Sequence, residues 1–137
     1  TVVIRLAFPY GNLQHPKPCL LRKMLSWMDS KDEVNLYADQ MICPTPTAYF
    51  ASICLKTAQL LAEGSLPSGT ILHGVGQQTT PYDFGLKIAE IFQKQCVIKP
   101  VSIDGKGTKN LALDTVETET ILDSKAPSHE EALQALA

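Results

Sequence analysis

The pattern of apolar and polar positions along the chain predicts alternating strands and helices. Four short apolar runs, each bounded by polar or turn-forming residues, predict strands over residues 2–7, 34–37, 70–75 and 96–103. The first run is apolar apart from Arg5, which is typical of a strand buried on both faces in a parallel sheet. Pro100 interrupts the last run, so we expect a bend or an edge position there.

Apolar residues at helical spacing predict one helix between each pair of successive strands and two more after the last strand. Thr45 and Pro46 have the residue types of an N-cap and a first helical position, and Gly64 is placed to end that helix. Ser128 and Glu131 have the spacing of a capping box, which opens the last helix. The order β-α-β-α-β-α-β-α-α predicts an α/β fold.

Composition and charge exclude several classes of protein. The length of 137 residues suits one compact domain, so we treat 1–137 as a single unit. Twelve Lys and Arg against fourteen Asp and Glu give a net charge of −2, without the basic footprint of a nucleic-acid-binding protein. A membrane-spanning helix needs about twenty apolar residues in succession, and no such run is present. We therefore expect neither a nucleic acid nor a membrane as a partner.

The cysteines, histidines and glycines form none of the common functional motifs. The four cysteines and three histidines lie far apart, without the close pairs of a zinc site, so we expect no metal. The chain is neither short nor rich in loops, which favours reduced thiols and a cytoplasmic location over a disulfide framework. The Gly74-Val75-Gly76 segment lacks the third glycine of a dinucleotide-binding loop.

The start of the chain suggests that this is one part of a larger fold. Thr1 is followed immediately by strand-forming residues, with no polar leader. Chain termini are normally loose and exposed, so we expect that further residues precede Thr1 or that another chain completes the sheet.

Four segments together resemble the extended short-chain dehydrogenases/reductases. Residues 2–11, VVIRLAFPYG, are similar to the I-I-R…Y-G segment of that family. Residues 39–45, DQMICPT, resemble the D-Q-x-G-x-P-T signature of its dTDP-4-dehydrorhamnose reductase branch, with Ile42 and Cys43 in place of Gly and Ser. Residues 71–84 and 109–115 are similar to later segments of the same branch, which the regulatory subunit of methionine adenosyltransferase also resembles.

The resemblance implies a fold and an activity for the complete protein. The fold is the α/β C-terminal substrate-binding lobe with the last strand or two of a Rossmann-like sheet, and the nucleotide-binding half lies outside the chain. The activity is an NAD(P)-dependent reduction of a 4-keto sugar nucleotide by hydride transfer. The family's Tyr-x-x-x-Lys pair is absent, because no Tyr here has a Lys four residues later. We therefore expect this chain alone to be inactive, with no catalytic residue and no residue that binds NAD(P).

Six residues are candidates for contact with a sugar-nucleotide substrate: Arg5, Tyr10, Asp39, Gln40, Thr45 and Asn110. Arg5 needs a partner in its apolar strand, either near the cleft or in a structural salt bridge. Tyr10 follows the first strand at its carboxyl end, where open α/β sheets bind ligands. Asp39, Gln40 and Thr45 offer polar groups around a predicted helix N-terminus. For Thr45 the alternative is a plain capping role, and for Asn110 it is a turn.

A second hypothesis places the chain in a different functional class. The same four segments are also compatible with a catalytically inactive relative that binds a partner protein, and with an α/β domain that binds no ligand. Under every hypothesis the first strand is expected to seek a neighbour, either the N-terminal half of the fold or a second copy of the chain.

Overall fold

The computed structural model describes all 137 residues and has a mixed α/β fold. In chain order its elements are β1 (Val3–Arg5), β2 (Pro9–Tyr10), α1 (Leu20–Ser30), β3 (Glu33–Tyr37), β4 (Thr45–Pro46), α2 (Thr47–Ala62), β5 (Ile71–His73), α3 (Pro81–Ile91), β6 (Val97–Val101), α4 (Val116–Leu122) and α5 (His129–Gln134). Each predicted strand and helix has a counterpart, so the α/β prediction is confirmed. None of the helices is long and apolar enough to cross a membrane.

The six strands pair in parallel in three separate two-stranded sheets. β1 pairs with β5, β2 with β4, and β3 with β6. Since parallel neighbours need long crossover connections, each pair joins segments that are distant in sequence. β6 is paired on one side only, so the edge position predicted from Pro100 is confirmed.

The predicted burial of the first strand on both faces is wrong for this chain. β1 has a partner on one edge only, and one of its faces packs with Ile4 and Leu72 against Ile53 of α2. On the opposite face Val3 is 48% exposed and Ile71 is 45% exposed. The apolar run therefore reflects a face that this chain does not cover.

The larger of two hydrophobic cores lies between α1, α3, α5 and the strands β2 and β3. Its buried members are Tyr10, Leu21, Met24, Met28, Val34, Leu36, Phe84, Ile88 and Leu133. The smaller core joins α2 to β5 and α4, and its buried members are Tyr49, Ile53, Leu72 and Leu122. The segment that leaves β1 runs between these two cores.

Most helix boundaries follow their local capping residues. Ser128 and Glu131 form the predicted capping box of α5, and Gly64 follows α2 with a φ of 71°. The predicted N-cap at Thr45 is wrong, because α2 begins at Thr47 and its N-cap is Pro46. Thr45 lies in β4, where its hydroxyl takes partners from distant segments instead of the helix.

Candidate functional site

The largest cleft lies where the chain leaves β1 and turns into β2. Its volume is about 550 Å³, and it is walled by residues 8–12, the start of α1 and Thr47 of α2. This volume is within the range of small-molecule sites in proteins. The cleft lies beyond the carboxyl ends of two parallel strands, which is where open α/β folds bind ligands.

The charged groups that line this cleft are all basic. His15, Lys17 and Lys23 are exposed in its wall, and none of the lining residues is an Asp or a Glu. A pair of lysine side chains with no carboxylate beside them favours an anionic ligand in the cleft. This cluster was not predicted from the sequence, where the three residues form no motif.

The N-terminus of α1 adds hydrogen-bond donors to the same wall. Its N-cap Cys19 makes no side-chain hydrogen bond, and the first turn of the helix contains no acidic residue. The first N–H groups of a helix have no partner within the helix, and the helix dipole is positive at this end. Arg22 donates to the His15 carbonyl, which holds the basic loop against α1.

Phe8 has an unusual backbone conformation at the mouth of the cleft. Its φ is 44°, in the left-handed region that is costly for a residue with a side chain. The Thr45 N–H donates to the Phe8 carbonyl at 3.1 Å, which helps to hold this turn. Strained residues of this kind cluster at functional sites.

Tyr10 borders the cleft, but its side chain, including the hydroxyl, lies inside the protein. The residue is 1% exposed and packs on Phe84, with ring centroids 5.4 Å apart. The Tyr10 hydroxyl is buried without a hydrogen-bond partner. Burial raises the pKa of this phenol, so it stays protonated. Tyr10 was predicted to follow the first strand at its carboxyl end, but it lies in a separate strand, β2, with its side chain in the larger core.

Asp39, Gln40 and Asn110 come together at a different place, around the loop of residues 102–110. The Asp39 carboxylate accepts from the Ser102 hydroxyl at 2.6 Å and from the Ile103 N–H at 2.8 Å. The Gln40 side chain donates to the Thr108 carbonyl at 3.0 Å. None of these three predicted residues lines the cleft.

Asn110 and Thr45 each bond to backbone groups. The Asn110 side chain accepts from the Ala112 N–H at 3.0 Å, which is the turn role that the sequence allowed. Thr45 is fully buried, and its hydroxyl oxygen lies 2.6 Å from the Ala7 carbonyl oxygen. The Asn110 side chain therefore forms a local turn, and the Thr45 side chain joins two distant segments of the chain.

Arg5 lies on the exposed face of β1, apart from the cleft. Its Nη1 is 3.4 Å from His73 Nε2, and it forms no salt bridge within the chain. A shallow depression of about 500 Å³ surrounds the two side chains, and Asp114, Val116 and Glu117 contribute to its walls. The six predicted residues thus lie at three places: Tyr10 and Thr45 near the cleft, Asp39, Gln40 and Asn110 at the 102–110 loop, and Arg5 on the exposed face of β1.

The glycines that follow β5 do not fit the pyrophosphate of the NAD(P) that the resemblance implies. A Cβ on Gly76 would lie 1.9 Å from the Pro44 carbonyl oxygen, and one on Gly74 would lie 3.0 Å from Ile4. These glycines allow close packing inside the protein and leave no cradle for a ligand. His, Cys, Asp and Glu side chains also form no group of three that could hold a metal ion.

Solved structures with the same fold are sugar-nucleotide enzymes. The chain superposes on a dTDP-4-dehydrorhamnose reductase from Clostridium acetobutylicum with a TM-score of 0.75 and 18% identity, covering 98% of this chain and 47% of that one. For the dTDP-4-dehydrorhamnose reductase from Bacillus anthracis, solved in complex with NADP, the TM-score is 0.71 and the identity is 18%, covering 98% of this chain and 46% of that one. For a UDP-glucuronic acid 4-epimerase from Bacillus cereus, solved with UDP-glucuronic acid and NAD, the TM-score is 0.70 and the identity is 18%, covering 98% of this chain and 43% of that one.

These similarities support the fold and the family of the chain. The chain spans about half the length of the enzymes that it matches, and it shares the α/β fold of the part that it covers. No curated protein sequence matches it. The model of the RmlD substrate binding domain matches residues 1–137, which confirms the resemblance drawn from the sequence. The chain therefore belongs to the RmlD substrate binding domain family.

Proposed function

We propose that the chain is the substrate-binding portion of an NAD(P)-dependent sugar-nucleotide reductase of the dTDP-4-dehydrorhamnose reductase type. In the complete protein this enzyme reduces a 4-keto sugar by hydride transfer. The observation that carries the proposal is the cleft beside β2, with its basic side chains, its helix N-terminus and no acidic group.

The chemistry of this cleft suits a nucleoside diphosphate. The diphosphate carries negative charge and oxygen acceptors, which match the Lys17 and Lys23 ammonium groups and the free N–H groups at the start of α1. Phe8 and Pro9 supply an apolar wall for a base or a sugar ring. The cleft therefore offers both halves of the recognition that a sugar nucleotide needs.

Of the six predicted residues, Tyr10 and Thr45 are proposed to act at this cleft. Tyr10 forms part of its wall, and Thr45 supports it through the Phe8 turn. Asp39 and Gln40 are proposed to hold the 102–110 loop, which ends at Asn110 and lies apart from the cleft. Arg5 is proposed to face the cofactor-binding half of the complete protein.

Residues 1–137 act in this proposal as one substrate-binding unit without catalytic groups. The Tyr-x-x-x-Lys pair that donates the proton in this family is absent, and so is a glycine loop for the dinucleotide. The exposed face of β1 and β5, which carries Val3 and Ile71, is the surface that the cofactor-binding half is proposed to cover. The chain alone is expected to bind substrate without turning it over.

Calorimetric titration of the chain with dTDP tests the proposal. We expect dTDP to bind and thymidine not to bind, with an affinity that falls as salt concentration rises. Lys23→Gln should weaken dTDP binding by roughly threefold, because it removes one exposed charge. The matched control is Lys31→Gln, which lies outside the cleft at the other end of α1. No dTDP binding at millimolar concentration, or equal binding of thymidine, would contradict the proposal.

A second candidate function is a regulatory module that binds a partner protein and lacks catalysis. The exposed apolar side chains of β1 and β5 favour it as much as they favour a cofactor-binding half. NADPH should give no calorimetric signal with the chain alone under both candidates. Binding of dTDP separates them, since a protein-binding module has no need of a basic cleft.

A further inference from the structure

Thr45 links three segments that meet at the cleft, although it does not line the cleft itself. Its side chain is fully buried. Its hydroxyl oxygen lies 2.6 Å from the Ala7 carbonyl oxygen and 3.0 Å from the Cys43 carbonyl oxygen, and it accepts from the Gly76 N–H at 3.1 Å. One hydroxyl therefore joins the end of β1, its own strand β4 and the loop after β5.

The backbone of Thr45 also forms a hydrogen bond with the turn at Phe8. Its N–H donates to the Phe8 carbonyl at 3.1 Å, next to the residue that its hydroxyl holds. Phe8 has a φ of 44°, a conformation that persists only where the surroundings impose it. Thr45 thus bonds to both residues that lead into this strained turn, and the turn forms a wall of the cleft.

The Thr45 hydroxyl is the acceptor that the structure gives to the Gly76 N–H. Gly76 is buried, and a Cβ on it would lie 1.9 Å from the Pro44 carbonyl oxygen, so the loop after β5 packs closely against the segment that precedes Thr45. Removal of the hydroxyl would leave the Gly76 N–H without a partner. A buried donor without a partner is costly, so the loop and the turn are expected to move apart.

We propose that Thr45 is a positioning residue for the ligand cleft, acting through the Phe8 turn. This inference rests on the proposed function for the identity of the ligand, dTDP. It assigns to the Thr45 hydroxyl the task of fixing the wall formed by residues 8–11, without contact to the ligand.

The test compares three variants of the chain. Thr45→Val removes the hydroxyl at nearly constant volume, and Thr45→Ser keeps the hydroxyl but removes the methyl group. Thr57→Val is the matched control, because Thr57 is also buried and its hydroxyl donates to the Ile53 carbonyl within α2 at 2.7 Å, away from the cleft. Amide hydrogen exchange is measured for Phe8, Tyr10, Gly11 and Gly76, and dTDP affinity is measured by calorimetry.

We expect Thr45→Val to raise amide exchange at Phe8, Tyr10, Gly11 and Gly76 and to weaken dTDP binding by roughly tenfold, which corresponds to one lost buried hydrogen bond. In Thr45→Ser and in Thr57→Val, amide exchange and dTDP affinity should both stay as in the wild type. Unchanged exchange in Thr45→Val overturns the inference whatever the ligand is. Raised exchange with unchanged dTDP affinity also overturns it, because the turn would then not shape the cleft. A wild-type chain that does not bind dTDP contradicts the proposed function, and the exchange data then decide the role of Thr45 separately.

Discussion

Arg5 and His73 stand in register on the parallel strands β1 and β5, with Arg5 Nη1 3.4 Å from His73 Nε2. His73 Nδ1 lies 2.6 Å from the Asp114 carbonyl oxygen, so Nδ1 carries the proton and Nε2 accepts from Arg5. Val3 and Ile71 are register partners on the same face, and both are about half exposed. A guanidinium among exposed apolar side chains is typical of a surface that another polypeptide covers.

This face predicts self-association of the chain when it is studied alone. Ile71→Lys places a charge on the exposed face and should shift the chain toward monomer in sedimentation velocity at micromolar concentration. Leu55→Lys is the control, because Leu55 is 73% exposed on α2, away from this face. A wild-type chain that sediments as a clean monomer would contradict the prediction.

The carboxylate of Asp39 predicts an acid-sensitive loop. Hydrogen bonds from Ser102 and from the Ile103 N–H, with help from the Lys109 charge, lower the pKa of Asp39 below 3.8. A lowered folded-state pKa stabilises the fold above the unfolded-state value and loses this effect as pH falls through the folded-state value. The protection factors of the amides of residues 102–109, which correct for the intrinsic pH dependence of exchange, should therefore fall below pH 3.8.

Asp39→Asn should raise exchange in the same loop already at pH 7. The neutral amide cannot accept from Ser102 and Ile103 as strongly as the carboxylate does. Asp104→Asn, in the exposed part of the loop, is the matched control. Equal protection of residues 102–109 in Asp39→Asn and in the wild type would show that Asp39 does not hold the loop.

His129 predicts a loss of stability in mild acid. It is 5% exposed, and its Nε2 donates to the Gln77 carbonyl at 2.9 Å, so Nδ1 carries no proton and lies buried without a partner. Burial, helped by the Lys87 charge, lowers the pKa of His129 below 6.5. The stabilising effect is complete above pH 6.5 and is lost as pH falls toward the folded-state pKa, by up to about 1.4 kcal/mol per pH unit.

His129→Gln should flatten this dependence, because a glutamine amide keeps a donor for Gln77 without titrating. Thermal unfolding between pH 4 and 8 measures the slope. His15→Gln, on the exposed loop of the cleft, should leave the slope as in the wild type. An equally steep slope in His129→Gln would assign the acid sensitivity to another group.

Local patterns predicted the elements of the fold better than the contacts of single residues. The spacing of apolar residues that distinguishes a strand from a helix is a property of neighbouring residues, which is why the predicted α/β order is confirmed. The N-cap at Thr45 was wrong because its hydroxyl bonds to Ala7 and Gly76, which only the fold brings near. Lys17 and Lys23 were missed for the same reason, since α1 folds back to place them beside Phe8.

The three parallel strand pairs have a consequence for how the chain reaches its native state. Arg5 and His73, in one such pair, are 68 residues apart. No hairpin is available to start the sheets, so each pairing waits for closure of a long segment. During synthesis the first strand therefore emerges without its partner and stays open to non-native pairing until the chain past residue 73 is made, which makes slow folding and early aggregation the characteristic hazards of this topology.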